Sequence, residues 1–485
     1  MVIGQEELSS RASGTTRHPG RTRNRLQRLR TVVLGTCWVL VATYLQLVRG
    51  TGRATDVIWA EDGGVFFNQA MRHSLWHNIV VPHAGYLQVI ARVVVQPAAH
   101  LPLSWVAVWL AGIAALTVAF VSLVVWFASA RVVRSWWARA LLTALVPLLP
   151  QAGFEVNATV SNLHWYLAYA AFWVLLAAPR SWKGQLGALF VVVLAALSDP
   201  LTGMVLPAAV VGVVASTRRR LAVIAPVGMV VALAVQAWVH LTRTVPHRPS
   251  PTVFSELPQI YAIRVLLASA TGDHLLGSVH ERLGAPLVVV AGALVGAALI
   301  ALVLNTDRKT RHLACLSLAI SVAYLFVPIG LRGTSGFLDG DELGLAGSRY
   351  TIVPVLMLWS AAVVLLDRLP SRPTVLPEGV PGLVGTTTVA FFAVQLLTDW
   401  AGPTVRADGP SWRADVRDAQ INCQGPPGSH GFQETAIVAE ARGKTSAPIV
   451  PGPDDVTILI SPVPPAGTAP LFAVVVPCSE LREPP

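Results

Sequence analysis

The stretch LSWVAVWLAGIAALTVAFVSLVVWFAS, residues 103–129, contains no Asp, Glu, Lys or Arg. A helix needs about 20 apolar residues to cross the roughly 30 Å hydrocarbon core of a bilayer, so this stretch is long enough to span one. Apolar runs recur from residue 31 to residue 399, and the 485-residue chain is 53% hydrophobic, 13% charged and has a mean hydropathy of +0.58. We therefore predict an all-α polytopic integral membrane protein, a class distinct from soluble globular domains.

The orientation follows from the basic residues between the apolar runs. If the short basic segments between the apolar runs lie on the same side of the membrane as the N-terminal arm, that side has a net charge of +15 and the other side a net charge of −5. The two sum to the chain's net charge of +10. By the positive-inside rule the N-terminus is cytoplasmic and the C-terminus extracytoplasmic, so the basic residues serve topology and nucleic-acid binding is not expected. The eleven predicted spans are 31–48, 103–129, 138–151, 163–179, 184–198, 201–216, 221–239, 285–304, 313–330, 350–366 and 382–399.

Segment 86–101 is the ambiguous apolar run. It is interrupted by Arg92, Gln96, Pro97 and His100, which are costly in mid-bilayer. If this segment crossed the membrane, the basic residues that follow residue 129 would lie on the outer face. We therefore predict an interfacial or re-entrant helix on the outer side.

Three regions follow from this topology. Residues 1–30 form a basic arm that we expect to be disordered and cytoplasmic, and residues 31–399 form the transmembrane domain with an outer loop over 49–102. Residues 400–485 form a small, polar, Pro- and Gly-rich outer domain, with a helix predicted near 411–421 and strands at 456–461 and 471–476.

Two of the four cysteines lie in the predicted outer tail and two lie within predicted spans. Cys423 and Cys478 lie in the predicted outer tail, an oxidising location, so we expect them to form a disulfide; two free thiols are the alternative. Cys37 and Cys315 lie within spans, where we expect them to act as small apolar packing residues.

The acidic pair in Trp59-Ala60-Glu61-Asp62-Gly63 is the first candidate for chemistry. Apolar residues flank it on both sides, and a carboxylate held on an apolar surface tends to have a raised pKa or a cationic partner, as a general base or metal ligand needs. The alternative is a solvated charge that stabilises the N-terminus of the following helix. We interpret Glu61 and Asp62 as catalytic candidates and as candidate ligands of a divalent metal, Mg or Mn.

Other polar residues are predicted near the outer ends of spans. Asn and His side chains beside aromatic residues suit hydroxyl-rich ligands, and arginine suits a phosphate group. The alternatives are helix caps, an interfacial aromatic belt and snorkelling arginines. The substrate-binding candidates are Glu155, Asn157, Asn162, His164, Asp199, Arg264 and Arg349.

An acidic pair in the first outer loop, followed by an amphipathic helix and many further spans, resembles the GT-C superfamily. These are polytopic glycosyltransferases that take sugars from polyprenyl-phosphate carriers, and Glu61-Asp62 matches their acidic motif. The tail with Trp412, Cys423 and Cys478 also resembles actinobacterial membrane proteins of this general kind.

The resemblance implies transfer of a sugar from a polyprenyl-phosphate donor to a polysaccharide, lipid or protein acceptor in the cell envelope. Glu61 or Asp62 would deprotonate the acceptor, and an outward arginine would neutralise the leaving phosphate. One competing class is a transporter or flippase of lipid-linked solutes, which is expected to show inverted repeats and mid-membrane charges. Another is an envelope scaffold protein, which would leave the acidic pair unexplained.

Overall fold

The computed structural model describes residues 19–50, 52–242, 251–334, 337–338, 347–368, 380–424, 454–462 and 472–482. The part of the chain described is mostly helical, with a small two-stranded sheet near the C-terminus. Its longer helices are Pro19–Val48, Val106–Ser129, Trp136–Leu148, Leu163–Ala177, Trp182–Ser198, Leu206–Ala215, Ile224–Thr242, Asp273–Leu304, Arg308–Arg332, Ile352–Arg368, Val380–Thr398 and Trp412–Asn422.

Each of the eleven predicted spans coincides with one of these helices. Within the described residues, six helical segments are long and apolar enough to cross a membrane: Leu29–Val48, Leu103–Ser129, Arg219–Thr242, Asp273–Leu304, Arg308–Leu331 and Ser348–Arg368. Four more are apolar but shorter: Leu163–Ala177, Trp182–Ser198, Pro200–Ala215 and Leu383–Thr398. The protein is therefore embedded in a membrane, while the count of eleven crossings and the orientation of the termini stay predictions.

Helix Leu163–Ala177 is the centre of the bundle, and all of its residues are buried. It packs against several neighbouring helices, and the Tyr169 hydroxyl lies 2.9 Å from Ser360 Oγ in helix Ile352–Arg368. A Cβ added at Gly212 would meet the Leu175 carbonyl oxygen at 2.1 Å, so a glycine is needed where these two backbones approach. Small residues commonly allow this close approach between membrane helices.

Two expectations need adjustment. The first helix begins at Pro19, inside the predicted arm, because Arg, Leu and Gln are good helix formers and continue the helix beyond the apolar span. Residues 1–18 lie outside the described part of the chain. Cys37 and Cys315 are exposed on the surface of the protein and do not pack in its interior.

Segment 86–101 contains helix Val89–Val95 and a short 3-10 helix, Gln96–His100. A helix of seven residues is far shorter than the roughly 20 residues needed to cross a bilayer. Arg92 is buried, and its Nη1 donates to Gln69 Oε1 at 2.5 Å. The segment therefore packs against another part of loop 49–102, as a non-spanning helix would.

The tail contains helix Trp412–Asn422 and two antiparallel strands, β1 (Asp455–Leu459) and β2 (Ala473–Pro477). These elements confirm the helix and the two strands predicted from the sequence. Cys423 and Cys478 form the expected disulfide, with their Cα atoms 5.4 Å apart.

The tail packs directly on the loop that follows the first span. The Ala60 amide donates to the Ser461 carbonyl at 2.6 Å, and the Ser461 amide donates to the Ile58 carbonyl at 3.1 Å. Asn68 extends this contact, because its Nδ2 donates to the Ala473 carbonyl and its Oδ1 accepts from the Val475 amide, each at 2.9 Å. The outer loop and the tail thus lie at the same end of the bundle.

Candidate functional site

The acidic pair lies between the helical bundle and the tail sheet. Asp62 begins a π-helix, Asp62–Phe67, all of whose residues are buried, and Glu61 immediately precedes it. A Cβ at Gly63 would lie 2.7 Å from a methyl carbon of Ile58 and 2.8 Å from one of Ile460. Glycine at this position therefore lets the tail approach the backbone of the acidic pair.

Asp62 is only 1% exposed, and both of its carboxylate oxygens accept backbone hydrogen bonds. Oδ2 accepts from the Val160 amide at 2.9 Å, and Oδ1 accepts from the Ser161 amide at 2.8 Å. Burial raises the pKa of Asp62, while the nearby Arg406 and these amides lower it. Asp62 thus holds the loop before helix Leu163–Ala177 in place.

Arg406 completes this buried structure from the start of the tail. It donates to the carbonyls of Asn157 and Ala158, each at 2.9 Å, and to the carbonyl of Val57 at 3.2 Å. Burial lowers the pKa of Arg406 to about 10, although Asp62 raises it. No sequence pattern indicates this role, because the partners of Arg406 lie far away along the chain.

Glu61 faces a different set of groups from Asp62. Arg349 Nη1 lies 3.0 Å from Glu155 Oε1 and 4.0 Å from Glu61 Oε1. The Arg349 side chain is 30% exposed, against 11% for Glu61 and 9% for Glu155. Three residues chosen separately from the sequence therefore converge into one partly open cluster, which we call the Glu61–Arg349 cluster (Glu61, Glu155 and Arg349).

Each member of this cluster comes from a separate connection between helices. Glu61 precedes the π-helix of the outer loop. Glu155 lies in the turn that leads to helix Leu163–Ala177, and Arg349 lies in the 3-10 helix Ser348–Thr351, directly before helix Ile352–Arg368. Because these connections meet at one end of the bundle, the cluster is at an interface between helix ends and not inside a span.

Arg264 adds a second cation close to this cluster. It is 2% exposed, lies in the π-helix Ala262–Leu267, and has Asp273 and Glu155 as its electrostatic neighbours. Burial lowers the pKa of Arg264, and the two carboxylates oppose that change. Glu155 therefore has two guanidinium groups as electrostatic neighbours.

Aromatic rings border the charged groups. The Arg349 guanidinium carbon lies 5.4 Å from the centroid of Tyr350, and the Tyr350 ring is 5.9 Å from both Trp165 and Phe337. The His164 ring lies 4.4 Å from Trp165. Aromatic faces next to charged and hydroxyl groups suit a ligand with both CH and OH surfaces, such as a sugar.

The remaining candidates have structural contacts. Asn157 Nδ2 donates to the Gln46 carbonyl at 2.7 Å, and Asn162 Nδ2 donates to Thr159 Oγ1 at 2.8 Å. Asp199 Oδ1 accepts from the Leu201 amide at 2.9 Å and so caps the following 3-10 helix. As ligand-binding residues these three remain predictions, and the contacts assign them to local structure.

A divalent metal shared by Glu61 and Asp62 does not fit the groups present. Mg²⁺ prefers about six oxygen ligands, whereas both Asp62 oxygens accept amide hydrogen bonds and Glu61 has the cationic Arg349 nearby. Within the described ranges, no group of three or more His, Cys, Asp or Glu could hold a metal ion. We therefore derive no chemical step from a metal at this pair.

Comparisons of the chain with protein-family models, with curated proteins and with solved structures find no match.

Proposed function

We propose that the protein is a membrane glycosyltransferase that moves a sugar from a polyprenyl-phosphate donor to a cell-envelope acceptor on the outer face. The observation that supports this proposal is the convergence of Glu61, Glu155 and Arg349 at one end of the bundle. A carboxylate beside a guanidinium supplies the base and the phosphate-binding cation that such a reaction needs.

In this reaction Glu61 takes the proton of the acceptor hydroxyl as its oxygen attacks the anomeric carbon of the donor. The bond between that carbon and the phosphate oxygen breaks, and its electron pair leaves with the polyprenyl phosphate. Arg349 balances the charge that develops on the phosphate, since arginine can donate two parallel hydrogen bonds to phosphate oxygens.

Glu61 suits the role of base better than Asp62 does. Its contact with Arg349 is loose at 4.0 Å, whereas both Asp62 oxygens are engaged with backbone amides. Glu155 is the closer partner of Arg349, at 3.0 Å, and so orients the guanidinium. In this proposal the base, the cation and the orienting group are therefore three different side chains.

The location of Arg349 also suits a lipid-linked donor. It lies at the start of the candidate span Ser348–Arg368, where the phosphate of a carrier lipid would meet the membrane surface. The apolar faces of the neighbouring helices are compatible with contact to lipid tails, since large residues such as Leu287, Val290 and Leu294 are exposed there.

The test is sugar transfer from a polyprenyl-phosphate donor pool in membranes that contain equal amounts of each variant. Glu61→Gln keeps the shape and removes the base, so we expect transfer to fall by about 10²–10⁴-fold, the usual range for general acid–base catalysis. Glu256→Gln is the matched control, because Glu256 is half-buried in a separate predicted outer loop. Unchanged transfer by Glu61→Gln would remove Glu61 from the mechanism, and a wild type inactive with every donor would favour transport.

A further inference from the structure

A separate cleft of about 240 Å³ opens beside the Glu61–Arg349 cluster. Ligand pockets usually measure about 300–1,000 Å³, so this one has room for a single small chemical unit. Its walls come from three connections and the first turns of helix Asp273–Leu304, and the residues that matter for its chemistry are Arg49, Asp273, Gly277, Glu281, Asp399 and Trp400.

Hydrogen bonds hold the walls of the cleft in place. Asp399 accepts from the amides of Asp273 and His274, at 2.8 and 3.1 Å, and so caps helix Asp273–Leu304. Arg49, which is 3% exposed, donates to the carbonyls of Leu149 and Pro150 at 2.8 and 2.6 Å. The cleft is therefore formed before any ligand arrives.

Carboxylates outnumber arginines in the wall of the cleft. Asp273, Glu281 and Asp399 line it together with Arg49, and both aspartates are electrostatic neighbours of Arg49. This excess of carboxylates disfavours an inorganic anion. It suits a ligand that donates hydrogen bonds through hydroxyl groups, and a small organic cation is the alternative outcome that the test below includes.

The polar groups suit a ligand rich in hydroxyls. Carboxylates accept hydrogen bonds from hydroxyl groups, and the Ser278 and Thr404 side chains, which also line the cleft, can both donate and accept. Trp400 is half-buried in the wall and offers an apolar ring with one donor. This combination matches the alternating CH and OH surfaces of a sugar ring.

Gly277 keeps the cleft open. Apart from its own helix backbone and chain neighbours, no atom of the described residues lies within 4 Å of the position its Cβ would take, although glycine inside a helix costs about 1 kcal/mol relative to alanine. A side chain at this position would therefore occupy open space at the wall of the cleft.

We infer that this cleft binds one monosaccharide unit of the carbohydrate acceptor. Phe154 lines it, and the next residue, Glu155, orients Arg349, so the cleft lies next to the proposed transfer site. Its role as an acceptor subsite rests on the proposed function, whereas sugar binding itself can be measured without any transfer.

The test uses the full-length protein in lipid nanodiscs and saturation-transfer NMR with methyl hexopyranosides and methyl pentofuranosides as probes. We expect at least one glycoside to bind the wild type and its signal to fall at least tenfold in Gly277→Leu. Gly187→Leu is the matched control, because Gly187 is exposed in helix Trp182–Ser198 and its Cβ would also meet nothing within 4 Å. Choline and inorganic phosphate serve as the charged probes.

The inference is overturned if no glycoside binds the wild type, if Gly277→Leu binds as well as Gly187→Leu, or if only a charged probe competes for the cleft. Glycoside binding that Gly277→Leu blocks, in a protein that transfers no sugar, would support the cleft and contradict the proposed function. Sugar transfer that depends on Glu61, in a protein whose glycoside binding is not affected by Gly277→Leu, would support the proposed function and contradict the cleft as a sugar site.

Discussion

Amide substitutions at the two adjacent acids should have opposite consequences. Asp62→Asn should destabilise the fold, because asparagine has only one acceptor oxygen for the two amides of Val160 and Ser161. The other amide would then face an NH₂ group, and two buried donors would lack an acceptor. Glu61→Gln should leave the fold nearly unchanged and abolish sugar transfer.

The magnitudes follow from the contacts that each change removes. A buried donor without an acceptor costs about 1–3 kcal/mol, so two of them lower the free energy of unfolding by about 2–6 kcal/mol. The contact of Glu61 with Arg349 is long at 4.0 Å, Glu155 stays the nearer partner of Arg349 at 3.0 Å, and glutamine keeps the shape of the side chain, so we expect the change to cost about 1 kcal/mol, the net value of one hydrogen bond. With an unfolding entropy of about 2.1 cal/mol/K per residue, these losses lower Tm by about 2–6 °C for Asp62→Asn and by about 1 °C for Glu61→Gln.

Thermal unfolding of the purified variants in one detergent measures both changes, with Glu256→Gln as the control. The matched transfer assay should show the opposite order, with the larger loss per folded molecule in Glu61→Gln. Equal Tm values for the two amides would refute the assignment of Asp62 as a structural residue. A stable, inactive Asp62→Asn beside an active Glu61→Gln would exchange the two roles.

Four further outcomes follow from the same contacts. Asn68→Ala removes the side-chain bonds to strand β2 and should make the tail sensitive to protease in the folded protein, whereas a tail as resistant as in the wild type would contradict this role. The Cys423–Cys478 disulfide closes a loop of 55 residues, so its reduction should destabilise the tail by about 4 kcal/mol in the loop-entropy model. The shift of the tail's unfolding midpoint measures this loss, and an unchanged midpoint would argue against a stabilising role of the disulfide. Burial and two neighbouring carboxylates raise the pKa of Asp415, so its ionisation lowers the stability of the folded protein as the pH rises from about 3.8 through the higher folded pKa. The Tm of Asp415→Asn should therefore exceed that of the wild type at pH 7 and approach it near pH 4. A difference in Tm that widens on acidification would contradict this sign. Reporter fusions after residues 50, 135, 218, 310 and 400 should read outside, inside, inside, inside and outside, and a cytoplasmic signal at 400 would contradict the topology.

Features that depend on local composition were predictable from the sequence. A span is recognisable because the bilayer requires about 20 apolar residues in a row, and the tail elements Trp412–Asn422 and β2 follow equally local patterns. The disulfide was predictable because the outer tail contains two cysteines and was expected to lie in an oxidising compartment. Each of these features is a property of neighbouring residues and needs no knowledge of distant contacts.

Features that depend on distant contacts were not predictable. Arg49 and Arg406 look like ordinary basic residues near a span end and in a Pro-rich tail, yet both are buried by backbone carbonyls from other parts of the chain. The different roles of Glu61 and Asp62 are also hidden in the sequence. They arise because Ala60 has a positive φ of 36° and the π-helix that follows turns the two carboxylates toward different neighbours.

The contacts of the tail change how the division into two domains is understood. The sequence separates residues 31–399 from residues 400–485, but the loop that carries Glu61 packs against both parts. Arg406 of the tail holds the turn next to Glu155, and β2 is hydrogen-bonded to Asn68 within the loop. Glu61 and Glu155 therefore keep their places relative to each other only while the tail is docked, which makes the tail part of the framework of the site and not a separate appendage.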